Sequence, residues 1–361
     1  SYPHCWRCKN PIIIRATRQW FLGIDTHDLR KKLLGAIEKD ITWIPGEQKE
    51  RIAAMVSLRP DWCLSRQRYW GVPIAAVSCV QCKEEILCQE VIDNFARLVA
   101  QEGSDCWFIR EVKDFLPEDF ACPNCQGKGF TKGADIIDVW FDSGLSHHAV
   151  LKKRCDLKIP CELYLEGSDQ HRGWFQSSLI PGLCIDGHSP FKSVVTHGHV
   201  VDGEGRKMSK SLCNVISPQD IIKDYGADIV RLWVAASGYN EDIRISPLAV
   251  SRLSEAYRKI RNTARFMLSN LYDFNPDSGA PAYDDMAVID RWMLAKCDEL
   301  VVCVTASYEA YVFNKAYKAI YDFCNEVLSM YYLDMVKGRL YTFASNSPQR
   351  RSAQGAIYKA L

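Results

Sequence analysis

The spacing of apolar residues changes part-way along the chain, and this change limits the folds open to it. Between residues 134 and 248, short apolar runs at 161–166 and 193–197 alternate with longer segments of helical spacing. The first run has the pattern of a buried strand. Strands alternating with helices are typical of a parallel sheet covered by helices. A run at 12–14 predicts a further strand. From residue 249 onward the spacing is helical throughout, which predicts an α-helical bundle after the α/β part.

Composition narrows the class of protein further. The 361 residues suffice for two domains, and 45 Lys and Arg against 44 Asp and Glu give a net charge of +1. This balance excludes a protein-wide basic field, so any surface for nucleic acid must be local. No apolar run approaches the roughly 18–20 residues of a membrane helix, and there is no secretory leader pattern. We therefore expect a cytoplasmic protein without membrane association.

Two Cys-x-x-Cys pairs set residues 76–133 apart from their flanks. The four cysteines are Cys79, Cys82, Cys122 and Cys125. Four thiolates make the closed tetrahedral site that is typical of structural zinc. Free thiols, or a site that has lost its metal, are the alternative. We predict a zinc-ribbon-like insert with Zn²⁺. Cys5 and Cys8 form another pair, which supplies too few ligands to complete a zinc site.

A basic pentapeptide, Lys-Met-Ser-Lys-Ser at 207–211, follows the Gly-containing turn at 202–205. Two lysines on such a loop can swing over a chain of phosphates and neutralise the negative charge that builds up as a phosphate leaves. A solvated basic turn is the simpler interpretation. The polar residues that follow the strand ending near 166 are further candidates, because ligands bind at the carboxyl ends of parallel strands.

The pentapeptide matches the second signature of the class I aminoacyl-tRNA synthetases. Residues 61–71, 138–144 and 166–175 resemble the isoleucine-specific members of that family, in their bacterial or organellar form. The valine- and leucine-specific members differ at 166–175, which disfavours them as alternatives. The resemblance covers essentially the whole chain. It implies an ATP-dependent ligase that activates isoleucine as its adenylate and transfers it to tRNA(Ile).

The resemblance also implies a domain organisation. Residues 1–248 would be the second half of a Rossmann-type catalytic domain, interrupted by the zinc-ribbon-like insert at 76–133. Residues 249–361 would be a helical connector and the start of an anticodon-binding domain. The first signature of the family, His-x-Gly-His, is absent from the sequence, and so is the editing domain. We expect a piece of a longer enzyme that is monomeric when complete, and we expect no catalysis from these residues alone.

By resemblance, the catalytic residues are Lys207 and Lys210. The residues implied to bind ATP or the adenylate are Glu166, Gly167, Asp169, Gln170, His197, Met208, Ser209, Lys210 and Ser211. Carboxylates at a strand end can hold an amino group and ribose hydroxyls, and Mg²⁺ would arrive with ATP. Some of these residues could instead be helix caps, and Asp169 is a plausible cap for the helix through Trp174.

Trp140 and Trp174 are the proposed walls of the side-chain pocket. An isoleucine side chain has no polar atom, so a site must recognise it by shape and apolar contact, and indoles supply stiff walls. Such a pocket rejects a side chain shorter by one methylene poorly. Either tryptophan could instead be an ordinary core residue.

Three helices are predicted in the bundle, over 253–271, 289–308 and 316–331, and Gly338 is expected to end the third. One flank of the first carries Arg258, Arg261 and Arg265, which could contact the tRNA backbone or form a solvated face. The remaining alternative for the whole chain is a non-catalytic RNA-binding module made of a zinc ribbon and a helical bundle. The intact lysines and carboxylates argue against it.

Overall fold

The computed structural model describes residues 2–5, 8–209, 212–277 and 279–361. The chain divides into two compact units, residues 1–195 and 196–361. No helix among the described residues is both long and apolar enough to cross a membrane.

The described residues of the first unit form ten strands, the last of which ends two residues into the second unit. The strands are β1 (Phe21–Leu22), β2 (Thr42–Ile44), β3 (Trp62–Cys63), β4 (Ser65–Arg66), β5 (Val77–Cys79), β6 (Glu85–Ile86), β7 (Phe130–Lys132), β8 (Ile136–Ile137), β9 (Cys161–Gly167) and β10 (Phe191–His197). The α-helices are α1 (Leu29–Lys39), α2 (Gln48–Ser57), α3 (Gln89–Glu102), α4 (Cys106–Ile109), α5 (Val139–Gly144) and α6 (Trp174–Ile185).

The main sheet has the strand order β2-β10-β9, and β2 and β10 run parallel with Ser193 opposite Thr42. The chain passes from β9 to β10 through α6. This helix is apolar nearly all round, so it lies buried rather than on the surface. Its residues Phe175, Leu179 and Ile180 are fully buried in a core shared with α1. The predicted α/β architecture is therefore confirmed.

Two strand predictions differ from the structure. The run at 161–166 forms β9, but only Tyr164 and Gly167 of that strand are buried. The reason is that β9 lies at the edge of the three described strands of its sheet. The run at 12–14 does not form a strand, and the side chain of Ile13 is 91% exposed. An apolar run becomes a strand only where a partner strand and a core receive it, and its residues alone do not supply them.

The cysteine-containing insert has its own small core. A three-stranded antiparallel sheet, β6-β5-β7, packs with α3 and α4. At its centre the ring of Trp107 lies 4.7 Å from that of Phe115 and 5.2 Å from that of Phe95, between ring centroids. The insert therefore has an apolar core in addition to its thiols.

The second unit contains two short parallel strands and seven α-helices among its described residues. The strands are β11 (Val200–Val201) and β12 (Ile243–Arg244). The helices are α7 (Pro218–Tyr225), α8 (Ala227–Ala236), α9 (Pro247–Ser269), α10 (Val288–Glu309), α11 (Phe313–Asp322), α12 (Leu333–Thr342) and α13 (Pro348–Ala360). Local chemistry sets two of the helix starts. Ser217 and Ser246 cap α7 and α9, and each is followed by a proline in the first turn.

The predicted bundle is confirmed, with one difference in its third helix. Helices α9 and α10 match the first two predicted helices. The third comprises α11, a wider π-helical segment at Phe323–Tyr332, and α12. Gly338 lies inside α12 and does not end it. Burial of Leu333, Val336 and Leu340 on one face of α12 stabilises the helix across the glycine.

A buried carboxylate joins the elements of the bundle. Asp290 of α10 is fully buried and accepts four hydrogen bonds. Two come from the Arg339 guanidinium, at 2.7 and 2.8 Å, one from the Tyr332 hydroxyl at 2.8 Å, and one from the Ser352 hydroxyl. Because both oxygens are satisfied, the charge is tolerated inside the core.

We predict that Asp290→Ala lowers the free energy of unfolding of the bundle by about 3–5 kcal/mol, because the largely buried Arg339 loses its counter-charge. Urea titration followed by circular dichroism measures the loss. Asp334→Ala removes an exposed pair with Lys337 and should cost less than about 1 kcal/mol. Equal losses in the two variants would contradict this account.

Candidate functional site

The end of β9 leads directly into the polar residues predicted to bind ligand. Glu166 is exposed at the strand end, and a single 3₁₀ turn at Ser168–His171 connects the strand to α6. The Gln170 amide donates to Asp169 Oδ2 at 2.9 Å, and Gln170 Oε1 accepts from the Trp174 backbone N–H at 2.9 Å. The side chain of Gln170 therefore accepts the first backbone N–H of α6, the role that was considered for Asp169.

The two predicted pocket tryptophans lie close together. The Trp174 ring stacks on Tyr164 with 4.0 Å between ring centroids and an angle of 4°, and its Nε1 donates to the Ser143 carbonyl. The Trp140 ring lies over Gly173, where an added Cβ would be 3.1 Å from the indole. Trp174 is thus fixed on two sides, while Trp140 remains 43% exposed.

Asp138 fixes the helix that carries Trp140. This buried carboxylate accepts from Trp62 Nε1 at 3.0 Å, from Arg66 Nη2 at 3.0 Å and from the Trp140 backbone N–H at 3.2 Å. The last bond caps α5. The charge and the hydrogen bonds of Asp138 together link β3, β4 and the start of α5. Asp138 therefore fixes the position of the backbone that carries the Trp140 ring.

An open cavity of about 710 Å³ lies beside Trp140. Arg66, Arg68 and Asp142 contribute charged groups to its wall, whereas Trp174 and Glu166 do not line it. Burial, and then the charge of Asp138, raises the pKa of Asp142 to about 6. No spacing or residue pattern in the sequence marks these charged residues as part of a site. They are distinguished only by their place in the segments 61–71 and 138–144, which resemble the synthetase family.

The basic loop in the second unit is built around a buried carboxylate. Asp202 accepts from the backbone N–H groups of Glu204 and Arg206 and from the Asn214 amide at 2.9 Å. The Asn214 bond, followed by the Arg206 N–H, holds the pKa of Asp202 far below its usual range. Asn214 also accepts from the Ser209 N–H at 2.9 Å. The loop therefore has a fixed base.

The predicted residues of this loop differ in their surroundings. Lys207 is exposed, and Met208 packs partly against the core around Ile229 and Val250. Ser209 accepts from the Leu212 N–H. Lys210 and Ser211 lie outside the described residues. Upstream, His197 ends β10, and its Nδ1 lies 2.7 Å from the Gly198 carbonyl oxygen.

The four cysteines predicted to bind metal converge. Their sulfur atoms lie within 4.8 Å of one another, and this cluster could hold a metal ion. Cys79 Sγ is 3.5 Å from Cys125 Sγ, and Cys82 Sγ is 3.5 Å from Cys122 Sγ. The residue after each pair, Lys83 and Gln126, has a positive φ of 61° and 60°. The two turns therefore have the same form.

The pKa values of two of the thiols, Cys79 and Cys125, are shifted in opposite directions. The backbone N–H of Cys82 lowers the pKa of Cys79 to about 7. At Cys125 the Gly127 N–H acts in the same direction. It is outweighed by Cys82, by burial and by the other thiols, so the pKa of Cys125 rises to about 12. The two thiols therefore differ in how readily they lose a proton, and a thiol must lose its proton to bind a metal ion.

The three arginines of α9 that were predicted to contact tRNA are all exposed. Arg258 forms an ion pair with Glu255 of the same helix, which neutralises its charge locally. Arg265 lines a second cavity of about 620 Å³ together with Phe266, Tyr272 and Arg350. Arg261 and Arg265 thus keep their charge facing solvent, and their role stays a prediction.

Comparison with known proteins identifies the family. The model for tRNA synthetases class I (I, L, M and V) matches residues 7–246, and that for the anticodon-binding domain of tRNA ligase matches residues 290–361. The chain belongs to the class I tRNA synthetases. The synthetase resemblance predicted from the basic pentapeptide is thereby confirmed, as is the combination of a synthetase fold with an anticodon-binding domain. The boundary predicted at residue 248 remains a prediction.

Individual relatives are similar over the whole chain. Proteins named isoleucine–tRNA ligase from Syntrophotalea carbinolica, Caldicellulosiruptor bescii and Thermotoga maritima are 52%, 51% and 49% identical over 361 residues. This confirms the resemblance to the isoleucine-specific enzymes. In each case the match covers 100% of this chain and 39% of the relative, so the chain spans about two fifths of the length of these proteins.

Two solved class I structures share the fold. Methionyl-tRNA synthetase of Mycobacterium tuberculosis, in complex with methionyl-adenylate, matches 99% of this chain and 61% of its own at a TM-score of 0.67 and 17% identity. The Agrobacterium radiobacter K84 agnB2 LeuRS, in a ternary complex with tRNA and LeuAMS, matches 88% of this chain and 41% of its own at a TM-score of 0.59 and 20% identity.

We predict that Asp202→Ala loosens the basic loop without unfolding the second unit. The amides of Glu204 and Arg206 lose an ionised acceptor, so their hydrogen exchange should become about tenfold faster or more. Exchange followed by mass spectrometry measures this. Asp220→Ala, at an exposed position in α7, is the matched control. Unchanged exchange at 204–206 would show that Asp202 does not hold the loop.

Proposed function

We propose that this chain forms part of an isoleucine–tRNA ligase. The complete enzyme activates isoleucine with ATP, releases pyrophosphate and transfers the acyl group to tRNA(Ile). The observation that carries the proposal is 49–52% identity, along all 361 residues, to proteins of that name. The position of the Trp140 ring beside Gly173, the residue before Trp174, supports it, because an apolar amino acid needs apolar walls.

The side chains of the first unit act by positioning in this proposal. Glu166, Asp169 and Gln170 follow β9, where carboxylate and amide oxygens can hold the ammonium of isoleucine and the ribose hydroxyls of ATP. Gln170 already connects Asp169 to the start of α6, so the two side chains would move as one group. Trp140 and Trp174 bound the isoleucine side chain.

In this proposal the basic loop neutralises negative charge on the phosphates. Lys207 and Lys210 neutralise the oxygens of the leaving pyrophosphate, and Mg²⁺ enters with ATP. Met208, Ser209, Ser211 and His197 complete the nucleotide contacts. Asp202 and Asn214 hold the base of the loop in place.

Two further components belong to the complete enzyme. tRNA(Ile) is the macromolecular partner, and exposed Arg261 and Arg265 suit a phosphate backbone. The metal of the four-cysteine cluster is Zn²⁺, since four sulfur ligands select a soft or borderline ion in a closed site. Its role is structural, because four protein ligands leave no position for substrate.

We predict that the chain retains close to one equivalent of zinc after dialysis against a weak chelator. Cys122→Ser should lose this metal and loosen residues 76–133, while the core around Phe175 stays folded. Metal analysis and limited proteolysis measure the two effects. Cys88→Ser and Cys5→Ser are controls with the same chemical change outside the cluster. Loss of the metal in either control, with retention in Cys122→Ser, would refute the ligand assignment.

The activity requires the segments that lie outside this chain. The test is a chimera in which these 361 residues replace the matching segment of the Syntrophotalea carbinolica ligase, at 52% identity. We predict isoleucine-dependent exchange of pyrophosphate into ATP by the chimera. We predict none from the chain alone, which contains no His-x-Gly-His. In the chimera, Lys210→Ala should lower kcat by about 10²–10³-fold, because its charge acts mainly as pyrophosphate departs.

Lys223→Ala, at an exposed lysine of α7, is the matched control and should leave kcat unchanged. A folded chimera that binds tRNA(Ile) but gives no exchange would favour the RNA-binding alternative. A change confined to the KM for isoleucine in Lys210→Ala would contradict the role given to that lysine.

A further inference from the structure

A second group of metal-ligand side chains lies near the ends of α5 and α6. His147 and His148 begin a π-helical turn just after α5, and Asp186 follows the last residue of α6. The candidate ligand atoms of the three side chains lie within 4.8 Å of one another. The two helices are held in close contact, since a Cβ on Gly144 would lie 1.8 Å from the Ser177 carbonyl oxygen.

His147 is the first sign that this group is more than an ion pair. Its ring is 1% exposed, and neither ring nitrogen makes a hydrogen bond of normal geometry. Its Nε2 lies 3.8 Å from Asp186 Oδ2, too far for a hydrogen bond but facing the carboxylate. Apart from a weak contact with the Gly144 carbonyl, the buried imidazole has no hydrogen-bond partner among the described residues, and a bound cation would satisfy its second nitrogen.

The second sign is a conflict at His148. Its Nε2 lies 2.7 Å from Asp186 Oδ2, which requires a donor, and 3.3 Å from the Lys152 ammonium, which requires an acceptor. One nitrogen cannot serve both partners. The same ammonium lies 2.5 Å from Asp186 Oδ1. Lys152 therefore places a positive charge between the two groups, where a cation would bind the lone pairs of both.

We propose that His147, His148 and Asp186 form a binding site for a divalent cation of the zinc class. Two imidazoles and one carboxylate suit Zn²⁺, Co²⁺ or Ni²⁺, whereas Mg²⁺ and Ca²⁺ prefer oxygen ligands throughout. The ligand atoms need to contract from at most 4.8 Å to about 3.3 Å, the edge of a tetrahedron with bonds near 2.0 Å. Water completes the coordination.

The proposed site is open to solvent on one side, and the Lys152 ammonium competes with the cation for Asp186. The side chains of His148 and Lys152 are 27% and 38% exposed, so a cation enters on their side while His147 forms the floor. Lys152 must leave Asp186 when the cation binds. The cation and the ammonium therefore compete for one carboxylate, and removing the ammonium should strengthen binding.

A bound cation would tie the turn after α5 to the end of α6, the helices that carry Trp140 and Trp174. An effect on the pocket rests on the proposed function, whereas binding of the cation does not. The two are tested separately, because binding is measured on the isolated chain without substrate and does not depend on catalysis.

The experiment titrates Co²⁺ into the chain after its thiolates have been loaded with Zn²⁺. We expect one saturable equivalent, with the visible d–d absorption of a nitrogen and oxygen site and no thiolate-to-cobalt charge transfer. His148→Gln and Asp186→Asn should each weaken binding more than the roughly 10–100-fold typical of losing an outer-shell partner. The Lys152→Met variant should bind Co²⁺ more tightly than the unaltered chain does. In both proteins, added Zn²⁺ should displace the bound Co²⁺.

His188→Gln is the matched control, since His188 is an exposed histidine two residues beyond Asp186. It should bind Co²⁺ as the unaltered chain does. Thermal melting of each variant without metal verifies that it is folded. Charge-transfer absorption, affinities unchanged in His148→Gln and Asp186→Asn, or no gain in Lys152→Met would each overturn the proposal.

Discussion

The first unit depends on one buried carboxylate, Asp138. It accepts hydrogen bonds from Trp62, from Arg66 and from the Trp140 backbone N–H of α5 at once, so it joins the β3–β4 region to the helix that carries Trp140. A buried charge is stable only when its partners are all in place, which makes this contact specific as well as strong. The position of the Trp140 wall, and of the cavity beside it, follows from that contact. Asp290 has the same role in the bundle, where four bonds to one carboxylate hold α10, α12 and α13 together.

The proposed chemistry needs side chains that are held in position. Trp174 is fixed by its stack on Tyr164 and by its bond to Ser143, so its ring has a defined position without ligand. The basic loop is anchored by Asp202 and Asn214 at its base. The anchored base reduces the conformational entropy that the loop loses when it binds a ligand.

Much of the fold was predictable because the relevant forces act locally. Helices α8, α9 and α10 follow apolar periodicity, α6 follows a nearly continuous apolar run, and serines cap α7 and α9. The four cysteines were predictable because knuckle spacing sets the turn geometry. The predictions at 12–14 and at Gly338 were wrong because they depend on neighbours. An apolar run needs a partner strand, and a glycine inside a helix is tolerated where packing outweighs its intrinsic cost.

The sequence by itself determined most of the element types, the four cysteines that converge, the basic loop and, through the matching motifs, the family. Tertiary structure alone decided which distant side chains share a site. Asp138 meets Trp62 across 76 residues, Arg59 meets Gln176 across 117, and His148 meets Asp186 across 38. Such pairings are invisible to periodicity, because they depend on how helices and strands pack. Burial then sets the charge and hydrogen-bonding demands of each group, as it does for Asp142 and His147, and no local pattern encodes burial of a polar residue.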